Sequence, residues 1–267
     1  MTDASLRIGF AVWPHASLAA LLSGCEVLVC SASLGGDADL VARALTTLDP
    51  TERERFDRYE NRDVARRFAV GRLRLREMLG AVLGIPAAAV PIHLGLHGKP
   101  ALARIAAQPS GVRFSVAHCD ELLLVAITRL GEVGVDVERV RPIERWARMA
   151  DRVFGPNDRA EIGRQIASGD EPSTVFFRHW CRGEAELKAI GSGISGLSAR
   201  RDGWHPTGLQ VTELSAVPLP DDLVADGERY EAAVAVCASR DSGAFPRIAD
   251  PSQARTPRIT PTNASTA

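Results

Sequence analysis

No stretch of the sequence is apolar over the roughly 20 residues that a bilayer-spanning helix needs. The opening residues M-T-D-A-S lack the basic start of a secretory signal. The five cysteines are scattered and form no C-x-x-C pair, so neither a disulfide framework nor a zinc site is predicted. The net charge of −1 does not indicate binding to nucleic acid or to an anionic membrane. These absences together predict a soluble cytoplasmic protein.

Lysine is also nearly absent, because Lys99 and Lys188 are the only two lysines among 32 basic residues. A codon bias that replaces lysine by arginine at tolerant positions explains the general pattern. The two remaining lysines are then candidates for sites where a compact ammonium group matters.

The hydrophobic periodicity predicts a mixture of helices and short strands. L-D-P-T-E-R-E-R-F begins a helix, with Asp49 as the cap and Pro50 in the first turn. A longer helix follows and is expected to end at Gly80. Residues 121–129 and 133–138 are expected to pair as a β-hairpin. Further strands are predicted at 8–13, 114–118 and 230–238, and further helices at about 143–153, 156–167 and 175–190. The predicted class is α+β, with two lobes of similar size.

The stretch V-G-V-D-V-E places two carboxylates in an apolar strand. Asp136 and Glu138 alternate with valines, so both acids lie on the same side of the strand. Two like charges this close are unfavourable unless a positive group lies between them.

A helix farther along the chain supplies a third carboxylate and a cation. Glu184 and Lys188 are four residues apart and share one helix face, which by itself indicates an ordinary surface ion pair. If this face packs across Asp136 and Glu138, however, the three acids form a site for a hard cation. Oxygen ligands without a His or Cys cluster favour Mg²⁺ over zinc, and a nearby lysine then suggests a diphosphate ligand. His118 ends a neighbouring strand and is either a diphosphate contact or a plain hydrogen-bonded residue.

The motifs F-S-V-A-H-C, G-V-D-V-E and W-C-R-G-E-A-E-L-K-A-I-G-S-G occur in this order and resemble those of the 4′-phosphopantetheinyl transferase superfamily. L-D-P-T-E-R-E-R-F, A-R-R-F-A-V-G-R and G-K-P resemble its Sfp-type, two-lobed monomeric branch. The resemblance covers roughly residues 45–200. It implies two pseudo-symmetric α+β lobes, each a small, mostly antiparallel sheet with helices, and a ligand cleft between them. We expect an N-terminal lobe at 1–112, a C-terminal lobe with the metal site at 113–245, and a disordered tail at 246–267.

The resemblance also implies an activity and roles for individual residues. The enzyme would move the phosphopantetheine arm of coenzyme A to a serine of an apo acyl, polyketide or peptidyl carrier protein. Asp136, Glu138 and Glu184 would bind Mg²⁺, with Mn²⁺ as the alternative ion, and Glu184 would deprotonate the serine. Basic side chains would contact the coenzyme A phosphates, namely Lys188, Lys99 and His118, with Arg67 and Arg55 near the 3′-phosphate.

Four residues depart from the family pattern. Gly183 stands where a lysine usually precedes the helix glutamate, Ala117 and Cys119 flank His118 in place of serines, and Glu52 occupies a position that is often basic. Gly183 and Ala117 keep open a coenzyme A-binding paralogue with little transferase activity. A metal-dependent phosphohydrolase would explain the acids but not the ordered N-terminal motifs.

Overall fold

The computed structural model describes residues 6–95, 98–103, 111–192, 194–203, 205, 208–214, 216–224 and 227–238. The strands are β1 (Ile8–Val12), β2 (Val27–Ser33), β3 (Ile92–Leu94), β4 (Pro100–Leu102), β5 (Arg113–Cys119), β6 (Leu122–Thr128), β7 (Gly131–Arg139), β8 (Leu209–Glu213) and β9 (Tyr230–Ala238). The helices are α1 (Leu18–Gly24), α2 (Ala38–Thr47), α3 (Pro50–Asp57), α4 (Arg62–Leu83), α5 (Trp146–Val153), α6 (Pro156–Ala167), α7 (Pro172–Ile190), α8 (Ile194–Arg201) and α9 (Asp221–Val224). The predicted tail at 246–267 lies outside the described residues.

The core is built from two sheets that pack face to face, with helices on both outer sides. One sheet has the order β1-β2-β6-β5 and the other the order β7-β9-β8. Valines of β2, β7 and β9 fill the space between the sheets. α1 and α4 cover the outer face of the first sheet, and α7 covers the outer face of the second. This arrangement confirms the α+β class with small, mostly antiparallel sheets.

The predicted hairpin between residues 121–129 and 133–138 is wrong. Both edges of β6 are already occupied, one by β2 and the other by β5, so β7 cannot pair with it in that sheet. β7 pairs instead with β9, in register over its whole length. The hairpin that does form joins β5 to β6, and Asp120 in its turn has a φ of 51°.

The sheet β1-β2-β6-β5 joins strands from both sides of residue 113. The division of the chain into lobes at that residue stays a prediction.

The prediction that Asp49 caps α3 and that Pro50 lies in its first turn is confirmed. Asp49 accepts a hydrogen bond from the Glu52 main-chain N–H, and the Glu52 carboxylate accepts one from the Asp49 N–H. This capping box satisfies two N–H groups that would otherwise lack partners. The end of α4 was predicted wrongly, because the helix passes Gly80 and ends with Gly84 in the left-handed conformation. A side chain at Gly80 would meet the Ile85 carbonyl at 2.7 Å, so this glycine permits a close backbone contact.

Gly134 sets how closely α7 approaches β7. A Cβ atom at this residue would lie 1.9 Å from the Ala185 carbonyl oxygen and 2.5 Å from the Ala189 nitrogen. The backbone of α7 therefore rests directly on the strand. Among the described residues, no helix combines the length and the apolar character needed to cross a membrane.

Candidate active site

The close contact between α7 and β7 brings together residues that are about 50 positions apart in sequence. Lys188 Nζ lies 2.7 Å from Asp136 Oδ1 and donates a second hydrogen bond to the Val135 carbonyl at 3.1 Å. Glu184 lies one turn before Lys188 on the same face of α7, so it faces the strand acids as well. Lys188 therefore pairs with Asp136 on β7, and the interpretation that it forms only a surface ion pair with Glu184 is wrong.

The three carboxylates influence one another electrostatically. Burial raises the pKa of Asp136, and Lys188 opposes this increase. Burial is also the main reason that the pKa values of Glu138 and Glu184 are raised, and the charge of Asp136 raises both further. The fold therefore places three acids where their ionised forms need an additional positive charge.

Two carboxylate oxygens of this group are buried without a hydrogen-bond partner among the described residues. They are Asp136 Oδ2 and Glu184 Oε1. Buried polar atoms are normally paired, so these oxygens have free capacity for a ligand. The donor set consists of oxygens, which suits Mg²⁺ or Mn²⁺. Within the described part of the chain, however, no three His, Cys, Asp or Glu side chains are already close enough together to enclose a metal.

His118 and Arg67 lie at the same site. His118 lies at the end of β5 and is partly exposed to solvent. Neighbouring groups remove part of the water around the imidazole, which is the main cause that lowers its pKa, and the positive charges of Lys188 and Arg67 lower it further. Arg67 Nη1 donates to Glu121 Oε1 at 3.3 Å, and Arg66 binds the same carboxylate through two nitrogens at 2.8 and 2.9 Å. The positive charges of Lys188 and Arg67 therefore both reach His118.

Lys99, which immediately precedes β4, reaches β7 farther along that strand. Its Nζ donates to the Val133 carbonyl at 3.0 Å and to Glu132 Oε2 at 3.1 Å. Val133 and Val135 are separated by roughly 7 Å along β7. Both lysines of the sequence thus bind carbonyls on the edge of β7 that faces away from β9.

Arg55 is not brought to this cluster by any contact within the described residues. Its Nε donates to Tyr59 Oη at 3.0 Å, and its guanidinium lies 5.1 Å from the centre of the Phe68 ring.

The sequence patterns did not reveal that β5 supports the edge of β7. Ser115 Oγ accepts from the Val135 N–H at 3.1 Å, and Cys119 Sγ accepts from the Arg139 N–H at 3.3 Å. Cys119 Sγ also lies 3.7 Å from Glu138 Oε2. Ala117 and Cys119 therefore face the core and β7, on the opposite side of β5 from His118. The signal for this was the alternation of F-S-V-A-H-C, which places both residues on the Ser115 side.

Comparison with known proteins gives this geometry a family. Residues 132–223 match the model of the 4′-phosphopantetheinyl transferase superfamily, and residues 37–129 match the model of the 4′-phosphopantetheinyl transferase N-terminal region. The chain is 34% identical to 4′-phosphopantetheinyl transferase HetI of Nostoc over 183 residues, which are 66% of this chain and 75% of HetI.

The chain belongs to the 4′-phosphopantetheinyl transferase superfamily.

More distant members are also similar. The rat L-aminoadipate-semialdehyde dehydrogenase-phosphopantetheinyl transferase is 26% identical over 191 residues, 69% of this chain and 61% of the rat protein. 4′-Phosphopantetheinyl transferase AcpT of Escherichia coli strain K12 is 28% identical over 143 residues, 51% of this chain and 70% of AcpT. The predicted family and enzyme class are thus confirmed.

Two departures from the family pattern have local structural causes. Glu52 completes the capping box of α3 and also accepts from Arg76 Nη2 at 2.8 Å, so its carboxylate is engaged inside the protein. Gly183 is covered by the guanidinium of Arg200 and not by that of Arg182, which is about half exposed and lies 3.5 Å from Glu186.

Proposed function

We propose that this enzyme transfers the 4′-phosphopantetheine arm of coenzyme A to a serine of an apo carrier protein and leaves 3′,5′-ADP. Family membership supports the transfer of phosphopantetheine. The observation that carries the proposal for this chain is the pair of buried, unpartnered oxygens, Asp136 Oδ2 and Glu184 Oε1, beside the ammonium of Lys188. A divalent cation would give the two carboxylate oxygens a positive partner, and a diphosphate bound to that cation would give the Lys188 ammonium a negative one.

Asp136, Glu138 and Glu184 would hold Mg²⁺ or Mn²⁺. When bound, the ion would offset negative charge on the non-bridging oxygens of the diphosphate. Lys188 would contribute a second positive charge at the same oxygens. Its present bond to Asp136 keeps the ammonium within reach of the site.

Glu184 is the proposed general base. Its raised pKa brings the carboxylate closer to the value that suits proton transfer near neutral pH. The carrier serine Oγ forms a bond to the phosphorus on the pantetheine side, and its proton passes to Glu184. The bond from that phosphorus to the bridging oxygen breaks, and 3′,5′-ADP leaves with the electron pair.

The remaining basic side chains would bind the phosphates of coenzyme A. His118 interacts electrostatically with Lys188 and with Arg67. Arg67 also donates a hydrogen bond to Glu121. Lys99 would release Glu132 to reach a phosphate. Arg55 would need to leave Tyr59, so its role near the 3′-phosphate has the least structural support.

The outer face of α5 fits an acidic protein partner. The side chains of Arg145, Arg148 and Arg152 lie on one helical stripe with Met149, and all four are exposed. Among the described residues, none of these arginines has an acid within salt-bridge distance. The stripe follows Arg141, whose Nη1 lies 4.0 Å from Glu138 Oε2 at the candidate site. A carrier with an acidic helix next to its serine would match this surface, and we propose that a cytoplasmic monomer presents it.

The proposal is tested by incubating the protein with coenzyme A, Mg²⁺ and a panel of apo acyl, polyketide and peptidyl carrier proteins. We expect at least one carrier to gain the mass of one phosphopantetheine arm, with equimolar 3′,5′-ADP. Tight binding of coenzyme A with no carrier modified would instead indicate a paralogue without transferase activity. Cleavage of coenzyme A without any carrier would indicate a phosphohydrolase.

A further inference from the structure

The side chain of Arg200 occupies the space left by the missing side chain of Gly183. A Cβ atom at Gly183 would lie 3.1 Å from both Cζ and Nη1 of Arg200. Arg200 is 4% exposed, although it comes from α8, the short helix that follows the end of α7. The main chain of Arg200 is equally confined, because a Cβ at Gly155 would lie 2.6 Å from its carbonyl oxygen.

The guanidinium connects three helices through buried ion pairs. Nη1 binds Glu186 on α7, and Nη2 binds Asp158 on α6 at 3.0 Å. Glu186 lies three residues after Gly183, so both contacts fall on one side of the same turn of α7. The turn between these two contacts contains Glu184.

We propose that Arg200 is a positioning residue for Glu184, because its guanidinium fixes the Gly183–Glu186 turn of α7 and directs the Glu184 carboxylate toward Asp136. The inference rests on the proposed function, in which Glu184 acts as metal ligand and base. The Arg200 guanidinium thus fills the space beside residue 183, where the family usually carries a lysine.

The glycine is required by this arrangement. A planar guanidinium fits flat against the helix only where no Cβ projects. An alanine at residue 183 would push the guanidinium outward by a few tenths of an ångström and loosen its bonds to Glu186 and Asp158. Glycine is otherwise unfavourable in the middle of a helix, so its presence here calls for such a reason.

The test is a double-mutant cycle on the full chain with Gly183→Ala, Arg200→Lys and the combined variant. Gly163→Ala is the matched control, because Gly163 is also inside a helix but has open space around its Cβ position. Carrier modification is measured at a temperature well below the unfolding midpoint of every variant, so that all are folded. The unfolding midpoint is measured with and without Mg²⁺, as a readout independent of catalysis.

We expect Gly183→Ala to lower kcat about tenfold, with KM for coenzyme A and for the carrier changed less than about twofold. We expect Arg200→Lys to lower kcat as well, because one ammonium cannot bind Glu186 and Asp158 together in the way a guanidinium does. The combined variant should then be no slower than Arg200→Lys alone, since the contact that alanine disturbs is already lost. Gly183→Ala should also reduce the increase in midpoint caused by Mg²⁺, whereas Gly163→Ala should leave both kcat and this increase unchanged.

Wild-type kcat in Gly183→Ala would overturn the inference, and so would a combined variant slower by the product of the two single effects. Either result can be seen only if the wild-type protein modifies a carrier. An inactive wild type would count against the proposed function itself, so the two failures are distinguishable.

Discussion

Lys188 and Asp136 form an ion pair across the contact between α7 and β7, with 2.7 Å between Nζ and Oδ1. The carboxylate side chain is 10% exposed and the lysine side chain 30% exposed. Both groups are therefore largely removed from water, and each reduces the cost of burying the other. The pair has a structural role before any ligand binds.

Removing the lysine alone should destabilise the fold. Lys188→Met leaves Asp136 buried without a cation, and we expect a loss of about 3 kcal/mol in the free energy of unfolding, measured with urea. In Asp136→Asn/Lys188→Met the uncompensated charge is also gone, so the double variant should be more stable than Lys188→Met. If the double variant lost as much unfolding free energy as the two single variants together, Lys188 and Asp136 would not stabilise each other.

The proposed base gives a second prediction. Glu184→Gln keeps the size of the side chain but removes its charge, and we expect kcat for carrier modification to fall about a hundredfold or more. Glu54→Gln, in the exposed part of α3, serves as the control and should retain full activity. Unchanged activity in Glu184→Gln would show that the base and the metal ligand have been assigned wrongly.

The acids should also make metal binding depend on pH. Because the pKa values of Asp136, Glu138 and Glu184 are raised, these groups keep protons in the folded protein at pH values where the unfolded chain has lost them. In metal-free protein their contribution to stability therefore decreases as pH rises through this window. A divalent ion needs the ionised forms, so the stabilisation by Mg²⁺ should increase over the same window.

Thermal unfolding with and without Mg²⁺, followed from about pH 4.5, the ordinary pKa of a glutamate, upward, measures this effect. The increase in unfolding midpoint caused by Mg²⁺ should grow as pH rises. Asp136→Asn should abolish most of this increase across the whole pH range. An equal increase at both ends of the range would argue against a carboxylate site.

Glu171 caps the start of α7. Its contribution to stability should increase as pH rises, whereas that of the three site acids decreases. Burial alone would raise its pKa, but hydrogen bonds from Ser173 and Thr174 outweigh this and lower the pKa to about 2. We expect Glu171→Ala to cost about 1 kcal/mol of unfolding free energy at pH 7. The cap contributes fully above the unfolded-state pKa of about 4.5, and its contribution is lost as pH falls toward 2. The difference between wild type and variant should therefore narrow at about pH 3, and a constant difference would contradict the cap.

The basic stripe on α5 predicts how the carrier binds. Arg148→Glu should raise KM for an acidic carrier about tenfold or more, while KM for coenzyme A stays the same. The effect should weaken at high salt. Arg62→Glu changes a similarly exposed arginine at the start of α4 and should leave the carrier KM unaltered. Equal effects of both substitutions would indicate a general charge effect and not a docking surface.

Several features of this protein could be determined from the sequence because they depend on neighbouring residues. The Asp49 cap of α3, the helix at 156–167 and the alternation of β7 are local patterns, and the structure contains all three. The i, i+4 spacing of Glu184 and Lys188 likewise placed both on one helix face. The family could also be identified, since its motifs are short and keep their order.

Only the tertiary structure decided which elements lie together. Local pattern favoured pairing β6 with β7, but hydrogen bonding to β2 and β5 uses both edges of β6, and no property of residues 121–138 alone contains that information. By local propensity, glycine is unfavourable inside a strand, as at Gly134, and inside a helix, as at Gly183. In the folded chain the first is where the backbone of α7 rests and the second is where Arg200 packs. Both contacts join residues distant in sequence, so only the packing of the whole chain could reveal them.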